Sequence, residues 1–333
     1  MKIAILADTH FGARNDHDQF RKYFEKFYDE VFFPTIDDMG ITHVIHLGDL
    51  VERRKHINFL TLESLKNSFV APCKQRGLKV TMILGNHDVY FRDTNRVNGP
   101  LLLFEESWEG LDLITGPTTR HFKAGDDYLE VVMLPWITKD NYEAAMSLVK
   151  GSKAPVCMAH LELSGHEQYK GLVSKEGMSW THFTDFQKVF SGHYHHRSVL
   201  RNVTYVGSPY EIVWSDYITD QDPKGFHIFD TETLELTLIP NPYKIFWKVE
   251  NKSELPDDAK DCFIRTNNAE LAADLANQHV EIQVISDPHK DVELDLTGDD
   301  TLVILERAAE TQPEIGNYLK KIYFKALELQ VEA

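Results

Sequence analysis

The sequence predicts a layered α/β fold with two sheets, and three observations carry that expectation. Apolar runs of strand length recur along the first two hundred residues, each ending in polar residues. Helical patterns lie between several of them, with apolar residues spaced three and four apart. From about Arg197 the pattern changes to short strands separated by turns, as a second and more antiparallel sheet packed on the first would require.

Taken in order, the predicted strands are Lys2–Ala7, His43–Leu47, Leu78–Leu84, Glu130–Leu134, Pro155–Ala159 and Val189–Ser191. Asp18–Met39 reads as a helix. So does Phe59–Gln75, where Phe59, Leu62, Leu65 and Phe69 share one face. Val203–Val206, Gly225–Phe229 and Leu234–Ile239 are the short strands assigned to the second sheet. Pro240-Asn241-Pro242 marks a boundary, so residues 1–242 read as one domain. Beyond it, 243–298 has a small α+β pattern: strands Lys244–Glu250 and Cys262–Arg265, helix Ala269–Gln278 and strand Val280–Ile285. Residues 299–333 read as a helical segment broken near Gln312-Pro313. There is no internal repeat and no low-complexity tract.

The composition bounds the function. The chain has 333 residues, enough for about two domains, and 42% are apolar, enough for a sizeable core. Cys73, Cys157 and Cys262 are too few and too scattered for a disulfide framework or a zinc knuckle, which fits a reducing, cytoplasmic compartment. Met1–Leu6 runs straight into Asp8 and His10, too short for a signal peptide, and no apolar run reaches membrane-spanning length. A formal charge of −17 argues against a dedicated nucleic-acid binder. The charge is uneven, however. Residues 245–333 carry 19 acids against 9 bases, while residues 1–244 hold 14 of the 16 histidines. The histidines and the larger share of the net negative charge thus belong to different parts of the chain.

Five short motifs each place metal-binding residue types just after an apolar strand: Asp8-Thr9-His10, Gly48-Asp49, Gly85-Asn86-His87-Asp88, Ala159-His160 and Gly192-His193-Tyr194-His195. Open α/β sheets bind their ligands at the carboxyl ends of strands. If the strands are neighbours, all five motifs converge. Carboxylate, imidazole and amide oxygen suit Mn²⁺, Fe²⁺ or Zn²⁺, and a carboxylate is the natural bridge between two ions. Two metals about 3.5–4 Å apart can clamp both the attacking and the leaving oxygen of a phosphodiester. Singly, each motif has an ordinary reading: Asp-x-His is a surface loop, Gly-Asp a turn, and His-x-His two residues on one strand face. Their joint occurrence in this context is what points to a binuclear centre. His46, His56, His166, His182 and His196 read as packing or solvated residues.

This series resembles that of the calcineurin-like metallophosphoesterases. Within them the chain is similar to the SbcD-type double-strand-break repair nucleases, and among these to the recombination endonuclease subunits of T-even-type bacteriophages. Three stretches carry the narrower resemblance: Asp185–His195, Val203–Pro209 and Pro223–Thr231. It covers roughly residues 1–242. It implies an αββα two-sheet sandwich, with 243–298 as a small α+β DNA-capping domain and 299–333 as the segment that binds a partner. It implies that Asp8, His10 and His195 hold one metal and Asn86, His160 and His193 the other, with Asp49 bridging and Mn²⁺ the expected ion. It gives His87 the role of stabilising the scissile phosphate or protonating the leaving oxygen, oriented by Asp88 or Glu52. The activity implied is exonuclease action on double-stranded DNA and endonuclease action on single-stranded DNA. The implied partner is an SbcC-type coiled-coil ATPase, in the host cytoplasm for a phage protein, with no membrane attachment.

Gly48-Asp49-Leu50-Val51-Glu52-Arg53 departs from the Gly-Asp-x-x-His of many such nucleases and is closer to the acid of related phosphatases. Arg53, Arg54 and Lys55 are candidate DNA-phosphate contacts, with a solvated basic turn as the alternative. Ile315, Leu319, Ile322, Ala326 and Leu329 recur at heptad-like spacing and form the candidate face for the ATPase. The resemblance also implies a homodimer through N-terminal helices, for which Phe59–Phe69 or Leu101–Trp108 are candidates. The competing reading is a phosphoesterase acting on a small phosphate ester or cyclic nucleotide. A non-catalytic scaffold is disfavoured because every motif position is filled.

Overall fold

The computed structural model describes residues 1–104, 107–169, 171–219, 222–277 and 281–284. The stripe from Ile315 to Leu329, the candidate face for a partner, lies outside the described residues.

Strands β1 (Lys2–Leu6), β2 (His43–His46), β3 (Lys79–Ile83), β4 (Leu111–Ile114), β5 (Thr118–Ala124), β6 (Asp127–Leu134) and β7 (Val156–His160) come first. A run of very short strands follows: β8 (Leu163–Ser164), β9 (Glu167–Tyr169), β10 (Leu172–Val173) and β11 (Met178–Ser179). The chain continues with β12 (Lys188–Gly192), β13 (Ser198–Leu200), β14 (Val203–Tyr205), β15 (Gly225–Asp230) and β16 (Leu236–Pro240), then β17 (Phe246–Lys248), β18 (Phe263–Thr266) and β19 (Glu281–Val284). One six-stranded sheet has the order β16-β15-β1-β2-β3-β4 and the other β13-β14-β12-β7-β6-β5. β1 to β4 are mutually parallel, and so are β6, β7, β12 and β14.

Alternation along each strand shows how the layers stack. Ile3 and Ile5 join Ile45, Val131, Met158, Phe190 and Phe229 in a core between the sheets. Ala4 and Leu6 face the other way, into a core with Phe24, Tyr28, Leu65 and Phe69 from the helices. Val132, Leu134, Cys157 and Val189 likewise face Met146 and Phe183 beyond the second sheet. A strand covered on both faces favours apolar residues at most positions, which is why the central strands read as near-continuous apolar runs. The result is the αββα sandwich.

One expectation is corrected. Val203–Val206, Gly225–Phe229 and Leu234–Ile239 do not form a sheet of their own. β14 lies parallel to β12 in the second sheet, whereas β15 and β16 return to the first, antiparallel to β1. Short strands carry no signal for which partner they pair with. The two long helices form over the expected residues, each with one irregularity. Asp18–Phe27 passes through a widened turn at Tyr28–Phe32 into Phe33–Asp38, and Phe59–Leu65 through Lys66–Val70 into Ala71–Gln75. Each widened turn precedes a proline, Pro34 or Pro72. A proline lacks the N–H and its ring crowds the carbonyl four residues back, and a wider turn relieves both.

The contacts divide the chain into two units, Met1–Trp247 with Pro256–Phe263, and Lys248–Leu255 with the residues from Ile264 onward. β17, β18 and β19 make a three-stranded sheet, and Ala269–Asn277 is helical. No helix among the described residues is long and apolar enough to cross a membrane.

Candidate metal centre

All five motifs leave the carboxyl ends of β1, β2, β3, β7 and β12, and the two sheets bring those ends together. Four of the motif residues take left-handed backbone: Asp8 (φ 53°), His10 (41°), Asp49 (56°) and His193 (95°). Such conformations cost an L-residue about 1–3 kcal/mol each and persist only where the surroundings dictate them. Their concentration here marks a site whose side-chain directions matter more than backbone comfort. Gly48 (φ 93°) has no such strain, but any side chain there would place its Cβ 2.5 Å from His160 Nδ1. At Gly85 an added Cβ would collide with the Asp49 carboxylate.

The donor atoms fall into three overlapping groups, one of them His10, Asp49 and His87. Asp8, His10 and His195 offer atoms within 4.8 Å of one another, as do Asp49, His160 and His193. His10 Nε2 and His195 Nε2 are 3.0 Å apart. Asn86 Oδ1 lies 3.1 Å from His160 Nε2 and 2.9 Å from His193 Nδ1. Asp49 Oδ2 stands between the groups, 3.6 Å from His10 Nε2 and 3.5 Å from His160 Nε2. Asp8, His10, Asp49 and His160 are essentially fully buried. Burying several acids and imidazoles in contact is unfavourable unless a cation compensates them, so the donor set fits two divalent ions. Burial works against the charged form of His160, but Asp49 and Asp8 outweigh it and raise the imidazole to about 9. The same negative charge attracts a metal cation. Burial pushes His193 the other way, down to about 3, which leaves it a neutral donor.

Three of the imidazoles, His160, His10 and His195, have a partner on the other ring nitrogen, as metal-binding histidines generally do. His160 Nδ1 donates to the Leu47 carbonyl at 2.7 Å. Glu52 Oε2 lies 2.8 Å from His10 Nδ1, and Asp216 Oδ2 lies 3.4 Å from His195 Nδ1. The backbone N–H of His193 donates to both Asp8 oxygens, at 2.9 and 3.2 Å. Trp136 packs against His193 and His160, with centroids 5.2 and 5.9 Å away.

His87 is placed differently from the expectation. Its Nδ1 donates to the backbone carbonyl of Glu52 at 2.6 Å, and its N–H to Asp49 Oδ1 at 2.8 Å. Neither candidate carboxylate orients the ring. Glu52 is occupied with His10. Asp88 accepts from the N–H groups of Asp49, Gly85 and Leu50 at 2.8, 2.8 and 2.9 Å, which ties the Gly48-Asp49 loop to the Gly85-Asn86 loop. His87 lines an open cleft of about 220 Å³ with His10, Asp49, Asn86, His193 and His195.

The remaining candidates are dispersed. Arg53 pairs with Asp16 at 2.6 Å, and Arg54 donates to the carbonyls of Val89 and Phe91. Lys55 alone of that triplet is free and exposed among the described residues. Leu65 and Phe69 turn into the core, as do Phe104 and Trp108, leaving Phe59, Leu60 and Leu102 exposed. His46 is not idle packing: its Nδ1 accepts from Gly48 N–H and its Nε2 meets Thr9 Oγ1 at 3.0 Å, pinning two ligand loops together. His196 lies between Glu167 and Asp222.

Sequence reasoning missed Asp216 and Lys224. Lys224 Nζ is buried against Asp216 Oδ1 (3.2 Å), Ser208 Oγ (3.0 Å) and the His195 carbonyl (2.5 Å). Burial opposes ionisation of Asp216, but Lys224 and His195 outweigh it and hold the carboxyl below its ordinary range. Pro223-Lys224-Gly225 was visible as a motif, but nothing local tells that its lysine is buried. Asp216→Asn is expected to weaken metal binding on the His195 side by about 10–100-fold. Because that change strands Lys224, the paired Asp216→Asn, Lys224→Met variant serves beside it. Calorimetric titration with Mn²⁺ reads both. Wild-type affinity in the two variants would remove Asp216 from this role.

A family model described as calcineurin-like phosphoesterase matches residues 1–197. Exonuclease subunit 1 of Enterobacteria phage T4 is 31% identical over 242 residues, covering 72% of this chain and 68% of that protein.

Proposed function

The chain belongs to the calcineurin-like phosphoesterases, and from that premise we propose that it is a two-metal nuclease that hydrolyses DNA phosphodiesters. The observation that carries the two-metal part is the position of Asp49 between two groups of donors, 3.6 Å from one imidazole and 3.5 Å from another. The choice of DNA rests on the likeness to a protein named an exonuclease subunit.

In this reading Asp8, His10 and His195 hold one cation, Asn86, His160 and His193 the second, and Asp49 both. Bound there, the ions activate water and neutralise the phosphate charge. The chain's own residues do the rest. Glu52 and Asp216 fix the tautomers of His10 and His195, so that each presents Nε2 to the centre. Asp88 holds two ligand loops in register. His87, with its Nδ1–H committed to the Glu52 carbonyl, turns Nε2 to the cleft, where in its protonated form it donates to the phosphate or the departing oxygen. Mn²⁺ is the proposed ion, because the donors are oxygen and imidazole without thiolate.

The further parts of the proposal are residues 243–298 as a DNA-capping domain and 299–333 as the docking segment for an SbcC-type coiled-coil ATPase, with a homodimer as the working assembly. The subunit designation of the relative supports the need for a partner. The test is digestion of end-labelled double-stranded DNA, single-stranded DNA and a phosphomonoester, in Mn²⁺ and in Mg²⁺, with and without the ATPase. Metal-dependent cleavage of DNA, stimulated by the ATPase and ATP, is expected. Efficient hydrolysis of the monoester with inert DNA would favour a small-substrate phosphoesterase instead.

Docking carries its own expected outcome. Replacing Leu319 and Ile322 together by Asp should eliminate measurable binding of the ATPase, since the change removes apolar burial and adds charge that must be desolvated. Nuclease activity without the partner should persist. Co-purification and paired nuclease assays read both, and undiminished binding would reject the docking face.

A further inference from the structure

The loop that follows Gly85-Asn86-His87-Asp88 exposes two aromatic rings. Tyr90 and Phe91 are each 40% exposed, with centroids 4.8 Å apart and planes at 71°. A neighbouring pair of exposed rings offers apolar faces and edges that a flat partner can cover. The loop that carries them is fixed. Arg54 donates to the carbonyls on either side of Tyr90, to Val89 and to Phe91, at 2.9 Å each. Tyr90 N–H donates to the Val97 carbonyl at 2.9 Å and Gly99 N–H to the Asp88 carbonyl at 2.8 Å, closing the loop at its base.

The surroundings are cationic. Lys55, Arg92 and Arg96 are exposed and, among the described residues, in no ion pair. Lys55 Nζ stands 5.8 Å from the Tyr90 ring centroid. Asp93 is the only acid among residues 89–98. In a chain of net charge −17 this is a local reversal of sign, and it lies three residues from His87, within about 11 Å by chain reach.

We propose that Tyr90 and Phe91 form a stacking platform for one unpaired base of a polynucleotide, whose adjoining phosphates are held by Lys55, Arg92 and Arg96. The proposal rests on the nuclease reading and adds where the strand runs as it leaves the cleft. Because the rings meet at 71°, only one can lie parallel to a given base while the other closes against its edge. The platform therefore takes a single base. Stacking tolerates any base, since all have a π-face, and cations beside the ring hold the backbone. A base in intact duplex has both faces covered, so the platform selects single strands and frayed ends.

The experiment measures binding of an oligodeoxythymidylate, and of an abasic oligomer of equal length, in Ca²⁺ to limit cleavage. Hydrolysis of bis(p-nitrophenyl) phosphate, too short to reach the platform, reports on the metal centre. The Tyr90→Ala, Phe91→Ala variant should bind the oligomer about 5–150-fold more weakly, and should no longer distinguish it from the abasic strand. Phe91→Leu should lose affinity and Phe91→Trp keep it. A 2-aminopurine base in the strand should be quenched by wild type and not by the double variant. Undiminished affinity in the double variant, equal losses for the abasic strand, or dissociation of a wild-type dimer on removing the rings would overturn the platform. If wild type hydrolyses the small diester yet neither binds nor cleaves any polynucleotide, the nuclease reading itself fails, and the platform with it.

Discussion

Replacing Asp49 by Ala is expected to abolish hydrolysis and to weaken both metals together. Asp49 Oδ2 faces His10 on one side and His160 on the other, so it stands between the two proposed ligand sets. Its second oxygen accepts from His87 N–H, so the same change also loosens the loop that carries His87. Transition-state charge stabilisation by metal is worth several kcal/mol, which puts the loss at roughly 10³-fold or more. The Asp49 backbone is left-handed at φ 56°, so Ala also suffers strain there; Asp49→Asn, which tolerates that conformation better, separates the two effects. Metal counting on both purified variants reads the outcome. Two tightly bound ions per chain in each would exclude Asp49 as the shared ligand.

His87→Ala should behave differently: both metals retained, cleavage reduced by about 10²–10⁴-fold, the usual worth of a general acid or base. The ring is held by a backbone carbonyl rather than by a carboxylate, which adds a discriminating control. Glu52→Gln removes the acid beside His10 and leaves the Glu52 carbonyl in place, so it should disturb metal affinity more than the His87 function. A correctly metallated His87→Ala enzyme that cleaves DNA at the wild-type rate would reject the assignment. So would a Glu52→Gln enzyme with normal metal affinity and a lost His87 function, because that outcome would make the carboxylate the orienting group.

The parts legible in the sequence share a physical reason. β1, β2, β3, β7 and β12 are covered on both faces and therefore read as near-continuous apolar runs, and ligands gather at their carboxyl ends. Asp8, His10, Asp49, Asn86, His160, His193 and His195 could be picked out because each follows such a run directly, and the structure brings all seven together. The pairing of β15 and β16 was not legible. Phe226 and Phe229 face opposite buried sides of β15, and whether the strand joins the first or the second sheet is decided by the long-range match of Ile3 with Phe229. Asp216 and Lys224 were invisible for a related reason. They are charged residues among turn residues, and only the tertiary contact of Asp216 with His195 gives them meaning. Glu52 was misjudged because sequence proximity to His87 suggested a side-chain contact, whereas the turn after Asp49 sends the carboxylate to His10 and the carbonyl to His87. Tyr90 and Phe91 went unremarked, since exposure cannot be read from residue type.

In the proposed function two cations, shared at Asp49, drive phosphodiester hydrolysis. Mn²⁺ titrated into metal-free protein, with bound metal and hydrolysis of a small phosphodiester followed in the same samples, tests this. Two equivalents per chain should bind, with activity emerging as the second is taken up and with Asp49→Asn weakening both. Full activity at one bound equivalent, or in excess chelator, would contradict the two-metal account.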